Sequence, residues 1–234
     1  MNIIFFILMI ISLIALLTTS LLKAGVVVFI LKVLTSFLFV LTGIASYKSN
    51  PKNKKYFEFM LLGLIFSMLG DIFLGIDSNG GSIFYIGVLS FAVGHIMYII
   101  GLSQFTKYKL IDFIVFLLIA IPIILLVVLG DFEFDGMILV ICIYAAIISF
   151  MVSKAIALKR VYRGNEKAIT LTITGAVMFL ISDISLLFLF FYVVRYDIIQ
   201  QVNWIFYYIG QGLLALSFVY YSDVKKPSSE DTDK

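Results

Sequence analysis

The chain has 234 residues, of which 62% are hydrophobic and only 13% charged, and its mean hydropathy is +1.14. Soluble domains average about 45–50% apolar and about 25% charged residues, so a soluble enzyme or binding domain is excluded. The net charge of +3 does not point to nucleic acid, because the basic residues gather between apolar runs. The single cysteine, Cys142, excludes an intrachain disulfide or a cysteine-based zinc framework.

A membrane-spanning helix needs about 20 apolar residues. In chain order, eight runs fit: Asn2–Leu22, Ala24–Tyr47, Tyr56–Ile76, Ser82–Phe105, Leu110–Gly130, Gly136–Leu158, Ala168–Val194 and Ile198–Ser222. The first run lacks a charged leader and a small-residue cleavage site, so it reads as a span rather than a cleavable signal. The runs are continuous rather than alternating, which favours helix over barrel strand. Polar turns separate them, among them Ser49–Asn53, Asp77–Gly81, the acidic loop Asp131–Gly136, the basic loop Arg160–Asn165 and the short Arg195–Asp197. The expectation is an all-α membrane protein: one eight-helix bundle over residues 1–224, then a short polar tail over 225–234.

Charge orients this bundle. With the amino terminus on side one, that side holds Lys48, Lys52, Lys54, Lys55, Lys107, Lys109, Lys154, Lys159, Arg160, Arg163, Lys167, Lys225, Lys226 and Lys234. Side two holds only Lys23 and Arg195, together with the acidic loop, and Lys32 falls inside the second span. The positive-inside rule therefore predicts that both termini are cytoplasmic.

Two aspartates interrupt the apolar runs in one local pattern. Asp71 and Asp183 each follow a glycine (Gly63, Gly175) by eight residues and precede Ile-x-Leu, in spans three and seven. A carboxylate costs roughly 2.5–3.5 kcal/mol at a helix centre on insertion scales, so its recurrence points to use. Both lie sixteen residues past a basic boundary, Lys55 or Lys167, which puts them at one depth of ~24 Å. With the echo of Tyr85-Ile86-Gly87 in Tyr208-Ile209-Gly210, this suggests a parallel four-plus-four internal repeat.

Other polar residues inside spans are few: Lys32, His95, Tyr98, Tyr207, Tyr208 and Gln211. Intramembrane ionisable groups face the bundle interior and pair with one another, so the two carboxylates, Lys32 and His95 are expected around one polar cavity. Plainer roles remain open: an ion pair for Lys32, an interhelical hydrogen bond for His95, interhelical glue for Gln211. Glu58, Asp112 and Asp223 stand at span ends, where solvation is expected, and Cys142 is expected to pack as a small hydrophobe. A single histidine excludes a three-histidine metal site, and no metal is expected. Two carboxylates in unlike surroundings can divide into acid and base, as in hydrolysis through an oxocarbenium-like cation. On physical grounds alone, a proton-coupled or small-molecule transporter, or a lipid-binding assembly protein without turnover, fits as well.

Five segments together resemble the YhhN-like membrane family: Lys32-Val33-Leu34-Thr35, Gly70-Asp71-Ile72-Phe73-Leu74, Phe91 to Tyr98, Ser182-Asp183 and Tyr207-Tyr208-Ile209-Gly210-Gln211. The family usually has proline after the span-two lysine, where this chain has Val33. Characterised members of that family are lysoplasmalogenases. The resemblance implies an eight-span hydrolase that cleaves the vinyl ether of a lysophospholipid-type substrate to a fatty aldehyde and a glycerophospho-ethanolamine or -choline, without cofactor. It implies catalytic Asp71 and Asp183, with Lys32, His95, Tyr98, Tyr207 and Gln211 binding substrate or tuning protonation. A bacterial cytoplasmic membrane is the expected location, and the sequence sets no oligomeric state.

Overall fold

In hydrocarbon an unpaired backbone amide costs several kcal/mol, so an apolar chain of this kind closes its hydrogen bonds within helices. The computed structural model, which describes residues 1–51, 53–77, 80–161, 166–194 and 196–223, has eight long ones. They are α1 (Asn2–Leu21), α2 (Gly25–Ser49), α3 (Lys54–Ile76), α4 (Ser82–Ser103), α5 (Leu110–Leu129), α6 (Ile138–Val161), α7 (Glu166–Phe191) and α8 (Asp197–Ser217). A 3-10 turn, Tyr220–Asp223, follows α8. The expected tail, and Lys52, Arg163 and Arg195 of the charge count, lie outside the described residues.

The eight expected runs match these helices to within a few residues at their ends. Seven of them are long and apolar enough to cross a membrane, which makes this a multi-pass helical membrane protein. The eighth, α8, does not meet that standard, because it carries Gln200, Gln201, Asn203 and Gln211. Those of its polar side chains that lie deepest, Asn203, Tyr207, Tyr208 and Gln211, are buried. Its lower hydropathy thus reflects an interior position: α8 packs on α1, α2, α3 and α7.

Consecutive helices pair as hairpins, and the bundle closes through α2 on α3 and α8, and α6 on α4 and α7. Glycines set the closest crossings. A Cβ on Gly94 would stand 3.2 Å from the Gly63 carbonyl, and one on Gly210 would stand 3.0 Å from that of Gly175. Close backbone approach at small residues is how membrane helices gain packing energy. Gly94 therefore occupies against Gly63 the place that Gly210 occupies against Gly175. Gly87 instead faces Leu74, so the Tyr-Ile-Gly echo of the sequence is seven residues out of structural register. Gly175→Val should lower the unfolding midpoint in detergent, by an overpacking cost of about 1–3 kcal/mol. Gly25→Ala, where a Cβ meets nothing within 4 Å, should leave it unchanged; equal effects would refute the close-contact explanation.

The acidic loop folds over the end of α7. Glu133 N–H donates to the Phe191 carbonyl at 2.8 Å, Phe134 packs down, and Asp131, Glu133 and Asp135 stay exposed. At the opposite end, Asp112 is not solvated as expected but only 3% exposed. It caps α5 through the Lys109 N–H at 3.0 Å and receives the Arg160 guanidinium. Lys154, counted above with the loop cations, is buried in α6 and donates to the Thr106 carbonyl at 3.0 Å. The α4–α5 loop lies over these groups and excludes solvent from them. Glu58 is exposed beside Lys54, and Cys142 packs against the core.

Candidate functional site

Asp71 is held by two helices. Lys32 and Ser36 lie one turn apart on α2 and so share a face. Lys32 Nζ is 3.6 Å from Asp71 Oδ1, and the Ser36 hydroxyl donates to Oδ2 at 2.7 Å. From α8 the Tyr207 hydroxyl donates to the same oxygen at 2.6 Å. An ammonium and two hydroxyls thus surround this carboxyl group. Tyr208 OH donates to the Lys32 carbonyl at 3.2 Å, which ties α8 to the same stretch of α2.

Asp183 is held differently. The Tyr144 hydroxyl of α6 donates to Asp183 Oδ2 at 2.7 Å, and His95 Nε2 of α4 lies 3.0 Å from that oxygen. Tyr144 OH and His95 Nε2 are themselves 3.0 Å apart, closing a triangle of polar groups. Asp183 Oδ1 and His95 Nδ1 are buried without a hydrogen-bond partner among the described residues. A buried polar atom left unpaired costs about 1–3 kcal/mol, and such atoms in native structures call for a functional explanation. Next to this carboxylate, Asn203 Nδ2 donates to the Ser182 carbonyl at 2.8 Å and to its hydroxyl at 2.9 Å, fixing α8 against α7.

The expected single cluster is therefore two: Lys32 with Asp71, and His95 with Asp183. They line adjoining cavities. One, of about 80 Å³, is lined by Lys32, Asp71, Gln200, Asn203, Trp204 and Tyr207 among others. The other, of about 60 Å³, is walled by apolar side chains around Asp183 and Tyr144. Leu74, Phe91, Leu186 and Phe190 line both. Tyr98 and Gln211 reach neither carboxylate. They bond each other, Tyr98 OH donating to Gln211 Oε1 at 2.6 Å, in a fully buried contact between α4 and α8.

Sequence reasoning did not single out Tyr144, Ser36, Asn203 or Trp204. One signal for Tyr144 was present. It follows Lys32 by 112 residues, the interval that also separates Asp183 from Asp71. Each carboxylate thus meets the helix before its own (α2 or α6) and a helix from the other half of the chain (α8 or α4).

Fold and site together define a multi-pass helical membrane protein with two carboxylate clusters buried among its helices. The chain belongs to the YhhN family, whose model matches residues 26–218. Comparison with curated proteins and with solved structures returned no match.

Proposed function

We propose that this protein hydrolyses the vinyl ether of lysoplasmalogens, releasing a fatty aldehyde and a glycerophospho-ethanolamine or -choline. The observation that carries this reading is the order of the two cavities. Along the substrate run a hydrocarbon chain, the outer vinyl carbon, the ether carbon and oxygen, then glycerol and phosphate. Across the bundle run an apolar cavity at Asp183, a shared wall, then a cavity of mixed lining that carries the polar groups of Lys32, Asp71, Gln200 and Asn203. Chain against apolar wall and headgroup against polar wall sets the outer vinyl carbon near Asp183.

The roles follow from that placement. The proton held across the His95–Asp183 contact passes to the outer vinyl carbon, giving an oxocarbenium ion. Charged Asp71 stabilises that cation and takes a proton from the attacking water. The resulting hemiacetal then collapses: Asp183 takes its hydroxyl proton while protonated Asp71 gives a proton to the departing glycerol oxygen, so aldehyde and alcohol leave, one water is consumed and both carboxyl groups return to their starting state. Lys32 pairs with Asp71 and faces the phosphate with Gln200 and Asn203. Tyr207 orients Asp71, while Tyr98 and Gln211 fix α4 against α8. No cofactor enters these steps. Detergent-solubilised protein should release aldehyde from a 1-alkenyl lysophospholipid and none from the 1-alkyl analogue, which has no double bond to protonate. A transporter needs a sealed compartment, so absence of aldehyde in detergent together with uptake into proteoliposomes would reject the hydrolase.

The same reading includes eight spans and both termini in the cytoplasm of a bacterial cell. It is supported by the basic residues at one end of the helices and by the buried polar face of α8. In a Cys142→Ser background, cysteines at Asn50 and Asp231 should be labelled from one side, and those at Asp131 and Tyr196 from the other. Labelling of Tyr196 and Asp231 from one side would remove α8 from the span count. A parallel four-plus-four duplication is supported by the 112-residue interval shared by Lys32–Tyr144 and Asp71–Asp183, and by the matching glycine crossings.

A further inference from the structure

Two cavities of about 60 and 80 Å³ fall well short of the ~300–1,000 Å³ that sites for drug-sized ligands occupy. They accommodate the reacting ether, not the chain attached to it. A wider concavity lies elsewhere, between α4 and α6, at about 310 Å³. Its walls come from a continuous stripe on α4 that includes Val88, Leu89, Ala92 and Ile96, and from Val140 and Ile143 on α6. Leu89 and Ile143 are more than half exposed. In a membrane-spanning segment such side chains meet lipid, not water. From Tyr85 to Ile96 the groove runs eleven residues along α4, or ~16 Å, about half of the ~30 Å hydrocarbon core and so the depth of one leaflet.

This groove is continuous with the site. Tyr144 and Val88 line both the groove and the apolar cavity at Asp183. The Tyr144 hydroxyl is on Asp183 while its ring forms groove wall. Both walls belong to the first turns of α4 and α6, at the end that carries the acidic loop.

We infer that the α4–α6 groove is a binding site for a single linear hydrocarbon chain of a lysophospholipid, taken laterally from the leaflet at the acidic-loop face and led past Tyr144 to Asp183. The inference rests on the lipid-hydrolase reading for its ligand, but its test does not need turnover. Tyr144 is a positioning residue here: its ring contacts the chain and its hydroxyl orients the carboxylate.

The probe is a 1-alkyl lysophosphatidylcholine with a diazirine in mid-chain, which cannot be hydrolysed as a vinyl ether. Photolysis with the full-length protein in bilayer nanodiscs, followed by peptide mapping, should place adducts on α4 and α6 around Leu89, Ile96 and Ile143. Ala92→Trp and Val140→Trp fill the groove and should each lower adduct yield at least about tenfold, whereas Ile121→Trp on the lipid face of α5 should not. Thermal unfolding of each variant checks that it is folded, and two fillers guard against one failing to fold. Adducts spread evenly over all lipid-facing helices, or unchanged by folded fillers, would overturn the site. Efficient Ile143→Cys cross-linking between copies would also overturn it, because the groove would then be covered by a second chain. Groove adducts without aldehyde release from the alkenyl substrate would leave the chain site standing and reject the hydrolase. Aldehyde release unaffected by groove filling would do the reverse.

Discussion

Asp183→Asn is expected to abolish hydrolysis while the protein still folds. The amide fits the same space and keeps the Tyr144 contact as an acceptor, but it cannot hold or deliver a proton at neutral pH. General acid–base catalysis is worth about 10²–10⁴-fold, and a loss of at least that size should appear in aldehyde release per folded protein. Asp71→Asn should cost a similar factor for another reason, since it removes the charge that faces the oxocarbenium ion. The double variant should be little worse than either single one, because residues acting as a unit do not contribute additively. The roles separate in a second measurement. If the proton goes to carbon as proposed, the wild-type rate should be sensitive to deuterated solvent, and His95→Gln, which alters the contact with Asp183 and Tyr144, should depress kcat more than it changes KM. Near-normal turnover of a folded Asp183→Asn protein would remove the acid from the mechanism.

Lys32→Met has the largest expected effect on stability. Asp71 would keep its Ser36 and Tyr207 donors but lose its only cation among the described residues. Breaking a buried ion pair typically costs about 3–5 kcal/mol, and the low end applies because Lys32 retains some solvent access. The check is a cycle. Lys32→Met alone should lower the unfolding midpoint strongly, and Lys32→Met with Asp71→Asn should recover most of the loss, because no unpaired charge is left behind. Additive losses in the double variant would mean that the two groups do not depend on each other. Activity should be absent from both variants, so the stability readout alone carries this result.

The parts of the site legible in the sequence are those whose burial is costly. An aspartate, lysine or histidine in an apolar run announces itself, so Asp71, Asp183, Lys32 and His95 were expected inside the bundle, where they pair, and the helices fell where the hydropathy put them. Partner choice was not legible. Nothing local says that α8 reaches Asp71 while α4 reaches Asp183, so one mixed cluster was expected where two form. Tyrosine and serine are inexpensive in a span, which hid Tyr144 and Ser36. Asp112 misled for the opposite reason: at a helix end a carboxylate looks solvated, and only the returning α4–α5 loop and Arg160 of α6 bury it. The eighth run was read as a span like the others, yet the polar content of α8 keeps its hydropathy below theirs, because hydropathy counts residues without knowing which face they occupy.

The helix α5 answers to very little of the protein. It packs chiefly on α6, and Asp112, Ala120 and Val127 are its buried residues. The polar clamp of Asp112, Arg160 and the Ser153 hydroxyl, which donates to the Asp112 carbonyl at 2.5 Å, fixes one end. Along the rest, Leu118, Ile121, Leu125 and Leu129 are exposed on the outer face of the bundle. A spanning helix with so few inward contacts asks of that face only apolar surface and length. Substitution among leucine, isoleucine, valine and phenylalanine should therefore accumulate in α5 nearly neutrally, while α8, which meets α1, α2, α3, α4 and α7 and supplies Tyr207 to Asp71, should tolerate almost none. Evolutionary rate would then differ sharply between two helices of one membrane domain, with the slow one being the less hydrophobic.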